Sequence, residues 1–516
     1  MGPELSHRRA IVLLGSVFMV AGCGLAYELT MSTAAAFFLG DTVFQFSLTI
    51  GIFLAALGLG AFISRRIQRD LLRAFVLIEI AIAAIGGLSA GVIYLSYGWS
   101  YSLRGVTILF PILVGTLVGM EIPLLTRILA WRDLWKDAIS NVLSFDYLGG
   151  LAAALLYPLV LLPGLGIVRS AIVFGVLNGV TGLGTAIVFR KDSPKIRRLI
   201  PLAAFTLALL IGALAVAGTL VRGVEKVATG GTVIAAFRTL YQRVVLSQHP
   251  NRIELFLDGH LQFSSADEAR YHEAFAHPVM GATPARRSIL IIGGGDGLLA
   301  REIFRYPEVK RVTLVDIDKE LVRFCRTEKL IALQNKGALS DPRLTFVAAD
   351  GFVWLQRSAQ RFDRIFLDLP DPRTEGVARL YSVEFFSIMR KHLRPNGVVA
   401  VQATTPYYLP RVFWSIVTSM EQAGLSVVPA HVNVPSLGEW GFAFGSIEKR
   451  QYHQAPIPKG LAFLSPAVLP TLFAWPLDLP RLKVKANHFD RPVILDYYTK
   501  DTQRWRGLRS AKQQDQ

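Results

Sequence analysis

The chain has 516 residues, of which 52% are hydrophobic and 18% are charged, and its formal net charge is +17. This length exceeds that of one ordinary domain, and the apolar residues are concentrated in the first 225 positions. No internal repeat or nucleic-acid-binding motif stands out, so no nucleic-acid partner is expected despite the positive charge. The composition therefore predicts two halves of different kinds.

Seven stretches of the N-terminal half are long and apolar enough to cross a lipid bilayer as helices. They cover residues 10–38, 43–64, 74–96, 105–126, 144–164, 168–189 and 199–221. No small-residue cleavage site follows the first stretch, which indicates a retained span rather than a signal peptide. We predict an all-α, multi-pass membrane domain over residues 1–225, with the lipid bilayer as a partner and the cell (inner) membrane as its location.

Lysine and arginine cluster in every second connection between these spans, and the loops explain much of the net charge. The clusters are Arg8 and Arg9; Arg65, Arg66, Arg69 and Arg73; Arg127, Arg132 and Lys136; and Arg190, Lys191, Lys195, Arg197 and Arg198. Because positive residues favour the cytoplasmic side, the N-terminus is predicted to be cytoplasmic. Seven spans would then place the C-terminal half outside.

The most informative segment is residues 289–297, Ile-Leu-Ile-Ile-Gly-Gly-Gly-Asp-Gly. An apolar run that ends in glycines predicts a buried β-strand and a tight turn into a helix starting near Leu298. Such a turn lets a nucleoside approach the backbone. Asp296 is a poor neighbour for a pyrophosphate, so the expected ligand is a nucleoside with a cationic arm.

Further predicted strands end in acidic residues, at Asp316, Asp350, Asp368 and, three positions later, Asp371. Ligands of open parallel sheets bind outside the carboxyl ends of the strands, so these acids predict one electronegative pocket. A single Asp in such a place can equally be a helix N-cap. Together they favour a Rossmann-like α/β domain of the class I methyltransferase type.

Six ordered motifs resemble the spermidine synthase family of polyamine aminopropyltransferases, over roughly residues 235–450. They are Tyr241-Gln242, the segment 257–262, the segment 267–273, the loop 293–297, the Asp-Leu-Pro-Asp-Pro motif at 368–372 and the segment 435–442. The pair Tyr27-Glu28 and Gly58-Leu-Gly60 resemble the membrane half of the family's bacterial membrane-fused members. The resemblance implies transfer of an aminopropyl group from decarboxylated S-adenosylmethionine to putrescine or a related diamine.

The resemblance also implies roles for individual residues. Asp368 would be the base that takes a proton from the attacking amine, and Tyr271 and Asp371 would hold the diamine. Decarboxylated S-adenosylmethionine, a co-substrate rather than a cofactor, would contact Gln242, His272, Asp296, Asp316, Asp350 and Gly351. Asp316 would bind the ribose, Asp350 the adenine amino group, and Asp296 would favour an ammonium over a carboxylate.

The sequence departs from the family pattern near the acceptor. Val434 replaces a tyrosine common before the Pro-Ser turn, Arg373-Thr374 replaces Gly-Pro, and Asp316 replaces the commoner Glu. An added cation and a lost hydroxyl could change the preferred acceptor length, so putrescine is only the default. Whether the chain forms homo-oligomers is left open.

The other interpretations of the sequence are a metal site, a methyltransferase and a polyamine transporter or sensor. His272 and His277 could suggest a metal site, but no third ligand follows at a suitable spacing, so no metal is expected. A methyltransferase would have the same type of sheet, but Asp296 and the paired acids of the fourth strand would have no role in its reaction. A polyamine transporter or sensor, with a soluble domain that binds without catalysis, is the other alternative.

Two features of the predicted membrane half bear on function. Decarboxylated S-adenosylmethionine is a cytosolic metabolite, which conflicts with a catalytic domain placed outside by seven spans. Either the count is wrong by one, for instance through a re-entrant or interfacial segment, or the domain does face outward, and the side is left open. The spans also contain the acids Glu28, Glu79, Glu121 and Asp146. Such groups usually face a partner, a cavity or a pathway, and polyamine cations or protons are natural ligands, although Glu121 and Asp146 can also be interfacial.

The remaining segments complete the predicted organisation. Residues 222–231 are a polar, glycine-bearing linker, and residues 232–265 alternate like a small β-hairpin subdomain ahead of the nucleotide fold. The synthase-like domain is predicted over 232–500. A charged, glutamine-rich tail at 503–516 is expected to be disordered.

Overall fold

The computed structural model describes residues 7–39, 42–97, 100–130 and 135–514. The chain divides into two compact units, Met1–Val233 and Ile234–Gln516. The described part of the first unit is helical as far as Thr229, and the two β-sheets belong to the second unit apart from the first two residues of the opening strand.

Long apolar helices build the first unit. Their bounds are α1 His7–Leu39, α2 Thr42–Ser64, α3 Leu71–Ser96, α4 Ser100–Ala130, α5 Trp135–Leu156, α6 Leu162–Val188, the short α7 Pro194–Arg197 and α8 Ile200–Thr229. A π-helical turn, Tyr157–Leu161, joins α5 to α6. A helix satisfies its backbone hydrogen bonds internally, as a segment in hydrocarbon must.

Six helical stretches in the described residues are long and apolar enough to cross a membrane. They are Val12–Leu39, Phe44–Ser64, Leu71–Ser96, Leu103–Leu129, Val142–Val188 and Pro194–Thr229. The fifth covers 47 residues, which at about 1.5 Å per residue is roughly twice the thickness of a bilayer core. Its backbone leaves the helical region at Gly166, with φ 75° and ψ −179°, between the predicted spans 144–164 and 168–189.

The two arms of this fifth stretch run in opposite directions. Helices α1 and α5 are parallel, because Phe18 lies beside Gly149 and Gly22 lies beside Ala153. Helix α6 is antiparallel to α1, because Cys23 contacts Phe174 and Ser16 contacts Thr185. The chain therefore turns back at Gly166, and the stretch comprises two antiparallel segments.

A four-stranded sheet opens the second unit. Its strands are β1 Thr232–Arg238, β2 Arg243–His249, β3 Arg252–Leu257 and β4 His260–Ser264, in the order β1-β2-β3-β4. The pairs β2–β3 and β3–β4 are antiparallel. This sheet confirms the predicted small hairpin subdomain.

A seven-stranded sheet forms the centre of the second unit, in the order β10-β11-β9-β8-β5-β6-β7. Its strands are β5 Ser288–Gly293, β6 Arg311–Asp316, β7 Leu344–Ala348, β8 Phe362–Asp368, β9 Leu393–Gln402, β10 Ser426–Val434 and β11 Gly438–Ser446. The strands β7, β6, β5, β8 and β9 are parallel, whereas β11 and β10 are antiparallel additions. This arrangement confirms the predicted Rossmann-like domain.

Helices cover this central sheet and separate apolar clusters pack on its two faces. The helices are α9 Glu268–Gly281, α10 Leu298–Ile303, α11 Lys319–Thr327, α12 Lys329–Gln334, α13 Gly351–Arg357, α14 Glu375–Ala378, α15 Val383–Lys391, α16 Pro410–Gln422 and α17 Val493–Gln514. All six residues of β5 are buried, as expected for a central parallel strand. The strand order reverses between β5 and β8, which opens a crevice at the carboxyl ends of these two strands.

The structure corrects the prediction that residues 503–516 are disordered, because helix α17 continues to Gln514. The described part of this helix packs on the second unit: Trp505 Nε1 donates a hydrogen bond of 3.0 Å to the Tyr408 carbonyl, and its ring contacts Tyr407. The polar composition of residues 503–516 gave no sign of these aromatic contacts. Residues 515 and 516 lie outside the described ranges.

Glycines let α2 and α4 approach closely in the first unit. A Cβ on Gly119 would lie 2.1 Å from the Leu57 carbonyl oxygen, and one on Gly60 would lie 2.0 Å from that of Thr116. Backbone atoms occupy the space that a side chain would need. Small residues at such positions are typical of helix packing in membranes.

We expect Gly119→Ala to destabilise the first unit by about 1–3 kcal/mol, because the added methyl group forces α2 and α4 apart. Gly105→Ala is the matched control in the same helix, since a Cβ there meets nothing within 4 Å and alanine favours the helix. Thermal unfolding of the full chain in detergent measures both. Equal melting temperatures for the two variants would contradict the proposed close packing.

Candidate active site

The glycine-rich loop after β5 lies directly against the end of β8. Gly293 and Gly294 have φ values of 81° and 63°, and the Gly294 amide donates a hydrogen bond of 3.0 Å to the Asp368 carbonyl oxygen. A Cβ on Gly293 would lie 2.1 Å from that same oxygen. Only glycine allows this backbone approach, which places Asp296 near the Asp368 side chain.

Asp368 lies at the carboxyl end of β8 and accepts a hydrogen bond of 2.7 Å from the Tyr271 hydroxyl on α9. Burial and the nearby Asp296 carboxylate raise the pKa of Asp368 to about 6, against the opposing effects of His272 and of the Tyr271 hydrogen bond. A carboxylate with such a pKa is ionised at neutral pH but basic enough to accept a proton.

A series of charged side chains lies beside the pair formed by Asp368 and Tyr271. His272 Nδ1 lies 2.8 Å from Glu268 Oε2, and Arg301 contacts both oxygens of Glu268 at 2.9 Å. Against the effect of burial, His272 and Arg301 lower the pKa of Glu268 to about 2. Burial lowers the pKa of His272, but the hydrogen bond and charge of Glu268 raise it overall. The sequence analysis did not identify Glu268 and Arg301, although both accompany motifs that it used.

Asp296 lies near the positive groups His272 and Arg301 and also near Asp368. Its Oδ1 accepts a hydrogen bond of 2.8 Å from the Leu298 amide at the start of α10. Burial raises the pKa of Asp296, while His272 and that amide oppose the shift. The side chain is thus anchored by one oxygen.

Asp316 ends β6 on the other side of the glycine-rich loop. Its Oδ2 would lie 2.8 Å from a Cβ on Gly295, so the loop and the carboxylate are in close contact. Burial and the neighbouring acid Asp318 raise the pKa of Asp316 to about 6, although the Asp318 amide, which donates a hydrogen bond of 2.8 Å to Oδ1, lowers it.

Gln242 reaches the crevice from the loop between β1 and β2, but its contact is with Asp318 rather than with Asp316. Gln242 Nε2 donates a hydrogen bond of 2.9 Å to Asp318 Oδ2, and the Thr239 hydroxyl donates one of 2.7 Å to the same oxygen. Asp318 therefore links the four-stranded sheet to the end of β6. Asp318 was not among the site residues predicted from the sequence.

Asp350 follows β7 and combines two roles. Its Oδ1 caps α13 through the amides of Phe352 and Val353, at 2.9 and 3.1 Å, and its Oδ2 pairs with Arg379. The N-cap interpretation of this acid is therefore correct, and one oxygen is also committed to an arginine. Gly351 is needed for packing, because a Cβ there would lie 2.5 Å from the Ile292 side chain.

Asp371 and Arg373 form an ion pair beyond the end of β8, with Asp371 Oδ2 3.2 Å from Arg373 Nη2. Asp371 Oδ1 is buried and has no hydrogen-bond partner among the described residues. One oxygen of this carboxylate is thus available to a donor, while the other is partly neutralised by the arginine that departs from the family pattern.

Aromatic rings and a narrow cleft complete the surroundings of Tyr271. Its ring packs against Phe442 and Trp440, with centroids 5.2 and 6.2 Å away. A narrow cleft lies beside Tyr271 and His272, with Gln262 and Val434 also in its wall. Val434 therefore lines the cleft beside Tyr271.

The second histidine considered for a metal site has a structural role. His277 Nε2 lies 3.1 Å from Glu302 Oε2, and its Nδ1 lies 3.1 Å from the Tyr306 hydroxyl. Across the described ranges, no three His, Cys, Asp or Glu side chains form a group that could hold a metal ion. The site in this part of the chain consists of carboxylates, a tyrosine and a histidine.

The crevice therefore brings together Tyr271, His272, Asp296, Asp316 and Asp368, with Gln242 linked to them through Asp318. Asp350 and Gly351 lie at the end of the neighbouring strand β7, and Asp371 lies just past β8. This clustered acidic chemistry suits an organic cation held beside a base.

Comparison with known proteins gives a consistent result. The spermine/spermidine synthase domain family matches residues 268–455. A polyamine aminopropyltransferase from Leptospira interrogans is 37% identical over 95% of this chain and 98% of its own length. Polyamine aminopropyltransferase 1 from Ralstonia nicotianae is 39% identical over 98% of this chain and 97% of its own length.

Among solved structures, spermidine synthase from Thermotoga maritima is 26% identical, with a TM-score of 0.44 over 47% of this chain and 84% of that one. The relatives from Leptospira and Ralstonia span both halves of the sequence, so the likeness includes the helical unit as well as the α/β unit. The chain belongs to the spermidine synthase family of polyamine aminopropyltransferases.

Proposed function

We propose that this protein transfers the aminopropyl group of decarboxylated S-adenosylmethionine to a diamine, with putrescine as the default acceptor. The observation that carries the proposal is the buried Asp368, hydrogen-bonded to Tyr271 at 2.7 Å beside Asp296. The full-length relatives named polyamine aminopropyltransferase support it. The products would be spermidine and methylthioadenosine.

The chemistry follows from the protonation states of the two substrates. The attacking amine nitrogen is protonated in solution and must lose its proton to Asp368 before it can attack the propyl carbon next to the sulfonium. As the new C–N bond forms, the C–S bond breaks and its electron pair returns to sulfur, which leaves as a neutral thioether. Asp371 would hold the distal ammonium and so align the amine for attack.

Asp296 would set the choice of donor. Its carboxylate attracts the terminal ammonium of the decarboxylated donor and repels the carboxylate that S-adenosylmethionine carries beside its own ammonium. Asp316, Asp350 and Gly351 would surround the nucleoside, with Gln242 acting through Asp318 and His272 through its charge. No metal or further cofactor is needed in this scheme, because the sulfonium is itself an activated leaving group.

A methyltransferase has no comparable use for these acids. Transfer of a methyl group from S-adenosylmethionine would leave Asp296 facing a carboxylate. A transporter or sensor without catalysis would not require a carboxylate whose pKa is adjusted to about 6 beside a tyrosine. The acid cluster therefore favours the transferase.

Purified full-length protein with a diamine should release methylthioadenosine from the decarboxylated donor and no S-adenosylhomocysteine from the intact one. Asp368→Asn should bind the nucleoside normally but lower turnover by roughly two to four orders of magnitude, the usual range for a positioned base. Because the base acts when ionised, kcat/KM should fall as the pH drops through about 6. Chromatographic product analysis measures the products, the turnover and its pH dependence, and calorimetry measures binding of the nucleoside.

Asp341→Asn is the control for this experiment, since this half-buried acid precedes β7 at the amino end of the strand, whereas the crevice lies at the carboxyl ends. It should leave turnover and its pH dependence unchanged. Near wild-type turnover of Asp368→Asn would remove Asp368 from the role of base.

The Asp371–Arg373 ion pair gives a second prediction. Because Arg373 competes with the distal ammonium of the acceptor for Asp371, Arg373→Ala should lower the KM for the diamine roughly two- to fivefold, as expected for a partly exposed ion pair. The same change in an Asp371→Asn background should have no effect on KM. Steady-state kinetics of the four proteins measure this coupling; an equal effect in both backgrounds would show that Arg373 acts elsewhere.

We also propose that the first unit is embedded in a membrane. The support is the set of six apolar stretches and the reversal at Gly166 within the fifth, which together make seven crossings. Positive residues in alternate connections favour a cytoplasmic N-terminus. Seven crossings then place Ile234 on the opposite side, where a cytosolic donor would need a route to the site.

Reporter fusions at the C-terminus test this topology. A reporter that is active only outside the cytoplasm should give signal, and one active only in the cytoplasm should not. Fusions truncated at Gly166 should give the external signal as well, since five crossings precede it. A cytoplasmic signal from the full-length fusion would show that one of the seven segments does not cross.

A further inference from the structure

Two glutamates in the core of the first unit have no positive partner among the described residues. Glu79 on α3 and Glu121 on α4 are completely buried. All four of their carboxyl oxygens are without a hydrogen-bond donor among the described residues. The two carboxyl groups also interact with each other. Two carboxylates in contact in a dry interior cannot both be ionised without a cation between them.

Other buried polar atoms without partners lie in the same core. The Tyr27 hydroxyl on α1 and Asn178 Oδ1 on α6 are at most 1% exposed, and neither has a partner in the described part of the chain. A buried polar group without a partner destabilises the fold. Four helices thus each contribute a polar atom that can accept a hydrogen bond and has no partner among the described residues.

Glycine contacts place these acceptors along the bundle. Gly182, one helical turn beyond Asn178 on α6, lies against the Glu79 side chain. The Tyr27 ring lies against Gly86 of α3, seven residues beyond Glu79, which corresponds to about 10 Å along the helix. The acceptors therefore form a column rather than a compact cage.

We propose that the column formed by Glu79, Glu121, Asn178 and Tyr27 is a binding site for an alkylammonium cation, with a primary ammonium group at the glutamate pair. A primary ammonium has three N–H donors and one positive charge, which suits two carboxyl groups that face each other and a neighbouring amide oxygen. An extended cation fits a column about 10 Å long better than a compact metal ion does. The choice of an amine rests on the proposed function, whereas the buried carboxyl pair without hydrogen-bond donors among the described residues does not.

The site accounts for the presence of two glutamates at these positions. A pair of carboxyl groups inside an apolar helix bundle is costly, and apolar residues of similar size would pack there without that cost. When no ammonium is bound, the two groups can share a proton across their mutual contact. Close packing around Gly86 and Gly182 means that the cation enters only when the helices separate.

Equilibrium dialysis of the detergent-solubilised full chain with radiolabelled spermidine tests the proposal. Glu79→Gln and Glu121→Gln should each bind one equivalent fewer than wild type, while aminopropyl transfer stays unchanged. Glu28→Gln is the matched control, because this acid of α1 adjoins Tyr27 but lies outside the column, and it should bind like wild type. Sodium chloride at the same concentration as spermidine should not displace the additional equivalent.

The proposal is wrong if the two variants transfer normally and bind as many equivalents as wild type, or if sodium displaces spermidine equally well. Should either variant fail to fold, wild-type protein suffices: a hydrophobic carbodiimide should modify Glu79 or Glu121, as read by peptide mass spectrometry. Spermidine should protect both residues, and modification without protection, or a single bound equivalent in dialysis, would also overturn the proposal. Binding at this site without aminopropyl transfer would reject the proposed function alone.

Discussion

The hydrogen bond from the Gly294 amide to the Asp368 carbonyl oxygen is the contact on which the catalytic arrangement depends. It joins the loop after β5 to the end of β8, the two strands that flank the crevice. Because a Cβ on Gly293 would overlap this oxygen, the contact exists only with glycine there. It places two carboxylates, Asp296 and Asp368, close enough for each to affect the ionisation of the other.

That proximity would be unfavourable without compensation, and α9 supplies it. Tyr271 donates a hydrogen bond to Asp368, and His272, whose pKa is raised by Glu268, adds positive character beside Asp296. Glu268 is in turn held by Arg301. The site is thus negative enough to attract a cationic substrate, yet each acid has a specific partner, so the fold tolerates the cluster before any substrate binds.

Sequence analysis could predict the features that depend on local pattern. The apolar run before Gly293 and the acids at strand ends indicated the parallel sheet and its crevice, and most of the predicted residues lie there. It could not predict that Gln242 contacts Asp318, that Arg379 pairs with Asp350 or that Arg301 supports Glu268, because these contacts join segments far apart in sequence. The helical end of α17 was missed for the same reason, since Tyr408 and Trp505 meet only after folding.

The two units use carboxyl groups and a tyrosine in different ways. In the second unit, the Tyr271 hydroxyl already donates to Asp368, so the acid is oriented before a substrate arrives. In the first unit, the Tyr27 hydroxyl and the carboxyls of Glu79 and Glu121 lack such partners among the described residues. A preorganised acid suits catalysis, because its geometry must not change during the reaction. Unsatisfied acceptors suit reversible binding, because the ligand itself then supplies the missing hydrogen bonds.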